Sequence, residues 1–319
     1  MDGAEADADI NDDTYSRGLL TEPSKHASRL GAQQMTKAEN SRKNLKSMLE
    51  SGKTIVVPGA YDPISAMLVQ RAGFQAVYIG SYATAAAGFG MPDVGLVTMD
   101  EMAAYAKTIV DAVNIPVIAD GENGWNNAAN IWRTIRSFEQ AGVCGIHIED
   151  HEFGKHAPVP QVLASSEQMV QKIRASLEAR EDDNFLIIAR TDAAWAFNDV
   201  DEAVSRMNAF TDAGADMVMA VGLDPAVLAG LRSRIKGKIM ITDTPGRSVA
   251  TEEKAGADVV LYYGFSLYAA YHGVKAALET LMRTRNADDV AEVRGCITEF
   301  ENFIGYQAFS DRAKKYGLA

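Results

Sequence analysis

Residues 141–149 of the chain read Ala141-Gly142-Val143-Cys144-Gly145-Ile146-His147-Ile148-Glu149, a stretch that contains three signals in a fixed order. An Ala-Gly pair comes first, and a glycine at this point suits the left-handed conformation in which many helices end. A short apolar run follows, and such runs are typical of parallel strands buried on both faces. The run ends on a carboxylate. The stretch therefore predicts a helix-to-strand junction with a polar group at the far end of the strand.

The same pattern recurs along the chain. The Ala-Gly pair returns at residues 72–73, 213–214 and 255–256, each time shortly before an apolar run. Eight runs are found in all, at residues 54–57, 76–79, 116–120, 145–149, 185–190, 217–221, 238–242 and 258–262. Strands that alternate with helices imply right-handed parallel crossovers. Eight such units imply a closed (β/α)8 barrel, the TIM-barrel fold of the α/β class.

A doubly wound parallel sheet is the alternative architecture. It would typically use about five or six strands and a glycine-rich dinucleotide loop of the form GxGxxG. The sequence contains no such loop, and Gly88-Phe89-Gly90 is an isolated GxG in an irregular stretch. The barrel is therefore the favoured prediction.

The two ends of the chain differ from this body. Residues 1–35 are polar and acidic without sustained periodicity, which predicts a mobile or loosely packed N-terminal arm. This end also lacks the apolar segment of a signal peptide. Residues 36–319 are predicted to form a single barrel domain. Its tail, residues 266–319, has a helical pattern too long for one outer helix, which predicts helices that extend across a neighbouring subunit.

Composition narrows the class of protein. The chain has 319 residues and a net charge of −12, which argues against nucleic acid or an anionic membrane as a partner. No apolar run approaches the roughly 20 residues that a membrane span needs. The two cysteines, Cys144 and Cys296, do not form a CxxC pair. A reduced, cytoplasmic setting is therefore expected.

Four acids fall at or just after predicted strand ends, namely Asp62, Asp120, Glu122 and Glu149. In a barrel the C-terminal strand ends meet at one mouth, where chemistry takes place. Like charges at that distance repel, and a divalent cation would resolve the conflict. Ligands that are all oxygen favour Mg²⁺, with Mn²⁺ as a possibility. The alternative is that these acids cap the following helices, and for Asp62 the two interpretations are equally favoured.

Other polar residues near the same mouth predict substrate contacts. Arg190 ends an apolar strand, where a guanidinium needs an anion, either a substrate carboxylate or a neighbouring acid such as Glu149 or Asp192. Gly80-Ser81-Tyr82 opens the loop after strand two and offers backbone N–H groups and a hydroxyl. The polar loop 151–158 provides Lys155 and His156 as acid/base candidates. His147, flanked by isoleucines, is predicted to be a structural residue facing the barrel.

The run Val117-Ile118-Ala119-Asp120-Gly121-Glu122-Asn123-Gly124 resembles the metal-binding strand of the isocitrate lyase/phosphoenolpyruvate mutase superfamily. Four further stretches agree in order: Pro58-Gly59-Ala60-Tyr61-Asp62, Gly80-Ser81, Ile148-Glu149-Asp150 and Ile188-Ala189-Arg190-Thr191-Asp192-Ala193. The resemblance implies an α/β barrel, a homotetramer (a dimer of dimers) with swapped C-terminal helices, and Mg²⁺ held by Asp120, largely through waters to the other acids. It also implies chemistry through an enolpyruvate-like anion.

The pattern departs from the family at three places. Lyases of the superfamily usually carry Lys-Lys-Cys-Gly-His on the loop over the site, whereas this chain reads Phe153-Gly154-Lys155-His156-Ala157. Cys144 precedes strand four at the wrong end of the barrel, so cleavage of the isocitrate or methylisocitrate kind is disfavoured. The glutamate that lyases carry after strand six is replaced by Val221-Gly222, and the region 242–244 replaces an asparagine at strand seven.

The leading hypothesis is a Mg²⁺-dependent lyase or decarboxylase that cleaves a C–C bond in a small 2-oxo or 2-hydroxy dicarboxylic acid. One alternative is P–C bond chemistry, of the phosphonopyruvate hydrolase or mutase type, and another is a non-catalytic binding barrel. The predicted metal ligands are Asp120, Asp62, Glu122 and Glu149, and the catalytic candidates are Arg190, Lys155, His156 and Glu149. The predicted substrate-binding residues are Tyr61, Gly80, Ser81, Tyr82, Asp120, Arg190, Thr242 and Asp243.

Overall fold

A computed structural model describes residues 35–152, 156–242 and 248–318. Within these residues eight strands run parallel and close into a barrel in chain order, so that the last strand pairs with the first. The strands are β1 Ile55–Ala60, β2 Val77–Ile79, β3 Val117–Asp120, β4 Gly145–Glu149, β5 Leu186–Thr191, β6 Met217–Ala220, β7 Ile239–Thr242 and β8 Val259–Tyr262. The predicted (β/α)8 barrel is confirmed.

Helices connect the strands on the outside of the barrel. Those before β5 are α1 Lys37–Glu50, α2 Pro63–Arg71, α3 Ser81–Phe89, α4 Met99–Ala112, α5 Ile131–Ala141 and α6 Ser166–Ala179. Those after it are α7 Ala193–Phe197, α8 Val200–Asp212, α9 Pro225–Leu231, α10 Val249–Ala255, α11 Phe265–Thr284, α12 Ile297–Ile304 and α13 Tyr306–Lys315. The glycines of all four Ala-Gly pairs have positive φ, between 88° and 104°, as a helix-ending glycine requires.

The first strand is longer than the sequence pattern predicts. It continues past residue 57 to Ala60, because Pro58 pairs with Tyr262 of β8 and Gly59 pairs with Tyr78 of β2. A side chain at position 59 would collide with the backbone oxygen of Tyr263, only 2.0 Å from where a Cβ atom would stand. Glycine is therefore required here for close packing, although it reads as a strand breaker in the sequence.

Side chains alternate between the two faces of each strand and form two apolar layers. One layer lies inside the barrel and includes Ile118, Ile188 and Met219, with Leu45 and Leu49 of α1 in the same cluster. The other layer lies between strands and outer helices and includes Ala119, Ile146, Ile148, Ile187 and Ala189. This alternation directs the side chains of Asp120, His147, Glu149 and Arg190 to the interior.

The tail is helical over most of its length, as predicted. Helix α11 is followed by two short 3₁₀ helices, Ala287–Asp289 and Ala291–Val293, and then by α12 and α13. Many large apolar side chains of this tail are exposed, among them Phe265, Tyr271, Leu278, Ile297 and Phe309. Helix exchange between subunits remains a prediction. The separate arm at residues 1–35 also remains one, since residues 1–34 lie outside the described part of the chain.

Helix length and hydropathy bear on the membrane prediction. Among the described residues, no helix combines the length and apolar character that crossing a bilayer demands. The longest helix, α11, has 20 residues.

We predict that the two cysteines differ sharply in reactivity. Cys144 is 1% exposed, and burial raises the pKa of its thiol to about 12, so the reactive thiolate is scarce at neutral pH. Cys296 is partly exposed. The native protein should therefore react with an aromatic disulfide reagent at one thiol, and at both after denaturation. The folded variant Cys296→Ser should not react with the reagent. Rapid reaction of two thiols in the native wild type would contradict the burial of Cys144 next to β4.

Candidate active site

The interior side chains at the C-terminal ends of β3, β4 and β5 are polar. Strand register brings them side by side, because Asp120 pairs with His147 and Glu149 pairs with Arg190. Asp120, His147 and Glu149 are at most 4% exposed, and Arg190 is 8% exposed. Buried charge is costly unless it is paired or coordinated. The contacts of each group therefore show what the site is built to hold.

Asp120 accepts hydrogen bonds on both carboxylate oxygens. Its Oδ2 accepts from the Ser81 hydroxyl at 2.8 Å and from the Ser81 backbone N–H at 3.2 Å, while Oδ1 accepts from the Glu122 backbone N–H at 2.8 Å. Gly80 has no room for a side chain, because a Cβ atom there would lie 2.8 Å from the ring of Tyr78. Donors to the ionised form favour it. Ser81 at the start of α3 and the backbone of Glu122 thus hold the Asp120 side chain in position.

His147 is fully buried beside Asp120. Its Nε2 lies 2.7 Å from the hydroxyl of Tyr78 and 3.6 Å from Oδ1 of Asp120, and the two rings are stacked. Burial raises the pKa of Tyr78 well above its ordinary value, and the charge of Asp120 adds to the rise. The Tyr78 hydroxyl therefore stays protonated and acts as a donor in this cluster, and His147 faces the barrel interior as predicted.

A divalent cation fits this cluster. One ligand atom each of Asp120, His147 and Glu149 can be chosen so that all three lie within 4.8 Å of one another. Two buried carboxylates at that separation repel unless a cation compensates them. Nε2 of His147 also lies 2.7 Å from the Tyr78 hydroxyl, and the two carboxylates offer oxygen ligands, which suit Mg²⁺ or Mn²⁺.

Arg190 lies between two acids. Its Nε and Nη2 bind the two oxygens of Asp192 at 2.7 Å and 2.9 Å, and its Nη1 lies 3.1 Å from Oε2 of Glu149. Burial alone would lower the pKa of Arg190, but Asp192 and Glu149 outweigh this effect and raise it well above its ordinary value. The predicted salt bridges to Glu149 and Asp192 are both present, and the guanidinium keeps its charge.

A cavity of about 320 Å³ opens above these groups. Its polar lining includes Asp93, Asp120, His156 and Arg190, and its apolar lining includes Trp195, Met219, Val221 and Leu261. A volume of this size suits a small organic acid. The cavity thus brings the guanidinium of Arg190, the carboxylates of Asp93 and Asp120, and the imidazole of His156 around one small space.

The family model described as phosphoenolpyruvate phosphomutase matches residues 45–282. The chain belongs to this family. It therefore lies in the isocitrate lyase/phosphoenolpyruvate mutase superfamily, as the resemblance of its motifs implies.

Named relatives of the phosphoenolpyruvate phosphomutase family include carbon–carbon lyases. The chain is 35% identical to 2,3-dimethylmalate lyase of Eubacterium barkeri over 83% of this chain and 93% of the relative. It is 32% identical to 2-methylisocitrate lyase of Shewanella oneidensis over 84% and 94%. Among solved structures, phosphonopyruvate hydrolase in complex with oxalate and Mg²⁺ matches with a TM-score of 0.80 at 27% identity, covering 88% of this chain and 99% of that chain.

The other two predicted metal ligands of this family member, Asp62 and Glu122, each make contacts within the fold. Asp62 caps α2, because its Oδ1 accepts from the backbone N–H of Ser65 at 2.7 Å. Glu122 has a positive φ of 47°, and its backbone oxygen accepts from the N–H of Glu149 at 2.8 Å. The capping interpretation of Asp62 is thus observed, whereas its role toward a metal remains a prediction.

The predicted substrate-binding residues are distributed around the cavity. Gly80, Tyr82 and Thr242 line it, and Tyr82 packs edge-on against Tyr263 and Tyr268. The backbone oxygen of Tyr61 accepts from the Tyr105 hydroxyl at 2.8 Å, and Tyr61 is not among the described residues that line the cavity. Lys155 and Asp243 lie outside the described residues.

Asp93 is a site residue that the sequence analysis misses. It is 8% exposed, lines the cavity, and its Oδ2 lies 3.4 Å from the Ser81 hydroxyl and 3.5 Å from Nε2 of His156. It follows α3 in an irregular stretch, away from any strand end, so the strand-end rule could not find it. In the sequence, the one feature that marks Asp93 is the stretch Met91-Pro92-Asp93, shortly before the Thr98–Glu101 capping box.

We predict that Asp120 dominates metal binding. Asp120→Asn should weaken Mg²⁺ binding by more than about 100-fold, beyond the loss typical of outer-shell groups. Asp62→Asn should weaken it by about tenfold at most, because asparagine also caps a helix while it lacks the charge. Calorimetric titration with Mg²⁺ in the presence of oxalate measures both. Unchanged affinity in Asp120→Asn would refute this site, and equal losses would make Asp62 a direct ligand.

Proposed function

We propose that the protein is a Mg²⁺-dependent lyase that cleaves a carbon–carbon bond in a small 2-oxo or 2-hydroxy dicarboxylic acid. The observation that carries this proposal is the buried acidic pair Asp120 and Glu149 beside Arg190, with Asp120 and Arg190 lining one small cavity. The guanidinium of Arg190 can bind a carboxylate, and it lies beside a site for a divalent metal. This combination suits a substrate with a carboxylate next to an oxygen-bearing carbon. The names of the lyase relatives support the same reaction class.

Mg²⁺, or Mn²⁺ in its place, would be held by Asp120, with Asp62, Glu122 and Glu149 contributing largely through water. A bound Mg²⁺ would supply electrostatic stabilisation of the negative charge that develops on the substrate oxygen as the bond breaks. The Ser81 hydroxyl and backbone N–H keep Asp120 fixed before substrate arrives. Such preorganisation avoids reorganisation during the reaction.

Arg190 would bind the substrate carboxylate next to the reacting carbon. The guanidinium keeps its charge in the buried site, and it lines the cavity on the side of Glu149. A 2-oxo acid held this way loses its distal group and leaves the enolate of pyruvate. A 2-hydroxy acid instead gives up its hydroxyl proton to a base, for which Glu149 is placed, while the departing carbon takes a proton.

His156 is the proposed proton donor to that carbon. Its imidazole lines the cavity, packs edge-on against Trp195 at 5.5 Å between ring centroids, and lies 3.5 Å from Asp93. Imidazole is a common general acid near neutral pH. Lys155, next to it in the sequence, remains the alternative donor.

The far end of the substrate is proposed to be short and apolar. Trp195 of α7, Met219 of β6, Val221 just after β6 and Leu261 of β8 form one side of the cavity. Val221 stands where lyases of the superfamily usually carry a glutamate. An apolar wall favours methyl groups over a further carboxylate, which would be buried there without a described cation. A methyl-substituted malate therefore suits the cavity.

We also propose that the protein is a cytoplasmic homotetramer. The exposed apolar side chains of the C-terminal helices, for example Tyr271, Leu278 and Phe309, are the surface that such an assembly would cover.

P–C bond chemistry is the second candidate. It is favoured by structural similarity to a phosphoenolpyruvate phosphomutase of Streptomyces platensis subsp. rosaceus, with a TM-score of 0.80 at 29% identity over 86% of this chain and 99% of that chain. Phosphorus NMR of phosphonopyruvate incubated with the protein and Mg²⁺ decides between the two. A new phosphorus resonance would support the second candidate, and an unchanged spectrum would remove it.

We predict that the purified protein with Mg²⁺ releases pyruvate from a panel of oxaloacetate, 2,3-dimethylmalate and 2-methylisocitrate, and that it acts fastest on the dimethylmalate. Removal of the metal with EDTA should reduce the rate by more than about 100-fold, since metal ions commonly provide several kcal/mol of charge stabilisation. A coupled assay for pyruvate gives the rates. Absence of pyruvate from every substrate would refute the lyase, and oxalate binding without turnover would indicate a non-catalytic binding barrel.

We predict that His156→Asn lowers kcat by about 100-fold or more, the usual range for loss of a general acid. Asparagine retains the size of the donor site but cannot transfer a proton. Because the proposed donor acts on the departing carbon and is separate from the proposed metal-binding and carboxylate-binding groups, oxalate binding in the presence of Mg²⁺ should change by less than about threefold. Steady-state kinetics and calorimetry measure the two effects, and an unchanged kcat would transfer the role to Lys155.

A further inference from the structure

Asp192 is a fully buried carboxylate that directly follows β5 and has no place in the proposed reaction so far. We infer that Asp192 is a positioning residue that fixes the guanidinium of Arg190 for a substrate carboxylate and limits the contact between Arg190 and Glu149. This inference rests on the proposed role of Arg190 as the carboxylate-binding group.

The contact of Asp192 with Arg190 is bidentate. Oδ1 accepts from Nε at 2.7 Å and Oδ2 accepts from Nη2 at 2.9 Å, so the carboxylate takes the side edge of the guanidinium. An arginine has five N–H donors in a rigid fork, and paired contacts of this kind fix its plane. The remaining donors, including Nη1, lie toward Glu149 and the cavity.

Asp192 is itself held from two directions. Its Oδ2 lies 3.0 Å from Nδ1 of His151, and its backbone N–H donates to Oδ1 of Asp150 at 3.0 Å. The other oxygen of Asp150 binds Nη1 of Arg206, on α8, at 3.0 Å. These groups are buried, with Arg206 at 11% side-chain exposure. The carboxylate therefore has little freedom to follow a movement of Arg190, and it sets the position of the guanidinium.

This arrangement matters because Glu149 is the other acid within reach. A guanidinium binds best to a carboxylate that can take two of its N–H groups. Asp192 occupies the edge formed by Nε and Nη2, and Arg190 approaches Glu149 through Nη1, at 3.1 Å. Without Asp192 the fork would turn to Glu149, and Glu149 would be drawn away from Asp120. Asp192 thereby keeps Glu149 in the acidic pair and keeps Arg190 directed at the cavity.

The test compares Asp192→Asn with Asp216→Asn. Asp216 precedes β6 at the other end of the barrel. It forms an analogous ion pair with Nη1 of Arg180 at 2.7 Å, and it accepts a hydrogen bond from the backbone N–H of Ile187 at 2.9 Å. Asp192→Asn should raise the KM for the dimethylmalate and the inhibition constant of oxalate by about tenfold or more, with a smaller change in kcat. Asp216→Asn should lower thermal stability and leave both constants within about twofold of wild type.

A second pair of variants keeps the inference testable if Asp192→Asn does not fold. His151→Asn retains a donor close to the position of Nδ1, whereas His151→Leu removes it. The inhibition constant of oxalate should stay near the wild-type value in His151→Asn and rise severalfold in His151→Leu.

The outcomes separate the two levels of the proposal. If wild type binds oxalate and folded Asp192→Asn binds it equally well, or loses only kcat, the positioning role is refuted. Equal inhibition constants for His151→Asn and His151→Leu would also refute it. If wild type itself binds no oxalate in the presence of Mg²⁺, the proposed function fails, and the comparison of variants no longer bears on Asp192.

Discussion

In a closed parallel barrel, side chains along each strand alternate between the interior and the outer face, and the site depends on this constraint. Every second side chain of a strand points inward, and register places Asp120 beside His147 and Glu149 beside Arg190. Below this layer the interior is filled by apolar side chains such as Ile118 and Ile188, so water cannot compensate the charges from beneath. The fold therefore concentrates charge at one open end, where a ligand can reach it.

Burying these charges is tolerable because each has a partner that the fold also supplies. Asp120 accepts hydrogen bonds from Ser81, Glu122 and Tyr78, and Arg190 is bound by two carboxylates. A buried ion pair seldom adds much stability, since desolvation offsets the attraction. What the pairs provide is a fixed arrangement in which the carboxyl groups of Asp120 and Glu149 are held close together. That arrangement is useful only to a cation or a substrate, which argues for function over stability.

The sequence predicts the strands well because a parallel strand buried on both faces leaves a continuous apolar run. It fails at Pro58-Gly59, where close packing against β8 makes a strand out of residues that usually end one. Among the site residues, those at strand ends were predictable, including the salt bridges of Arg190. Asp93 was not, because an irregular loop carries no period and only the folded chain shows that it reaches Ser81. Asp62 was left open between helix cap and metal ligand, and the cap is what the geometry shows.

The loop over the site lacks the cysteine that superfamily lyases carry, yet the groups that bind and polarise a substrate do not depend on that loop. Asp120, Glu149 and Arg190 all stand on strands, whereas His156 stands on the loop after β4. The proposed charge-stabilising groups and the proposed proton donor thus stand on different elements of the barrel. An imidazole can replace a thiol as the proposed proton donor while the groups on the strands stay in place. This is so because bond cleavage first requires stabilisation of the anion, which is protonated afterwards. Such a site preserves the family's enolate chemistry and leaves the substrate to be selected by Trp195, Val221 and their apolar neighbours.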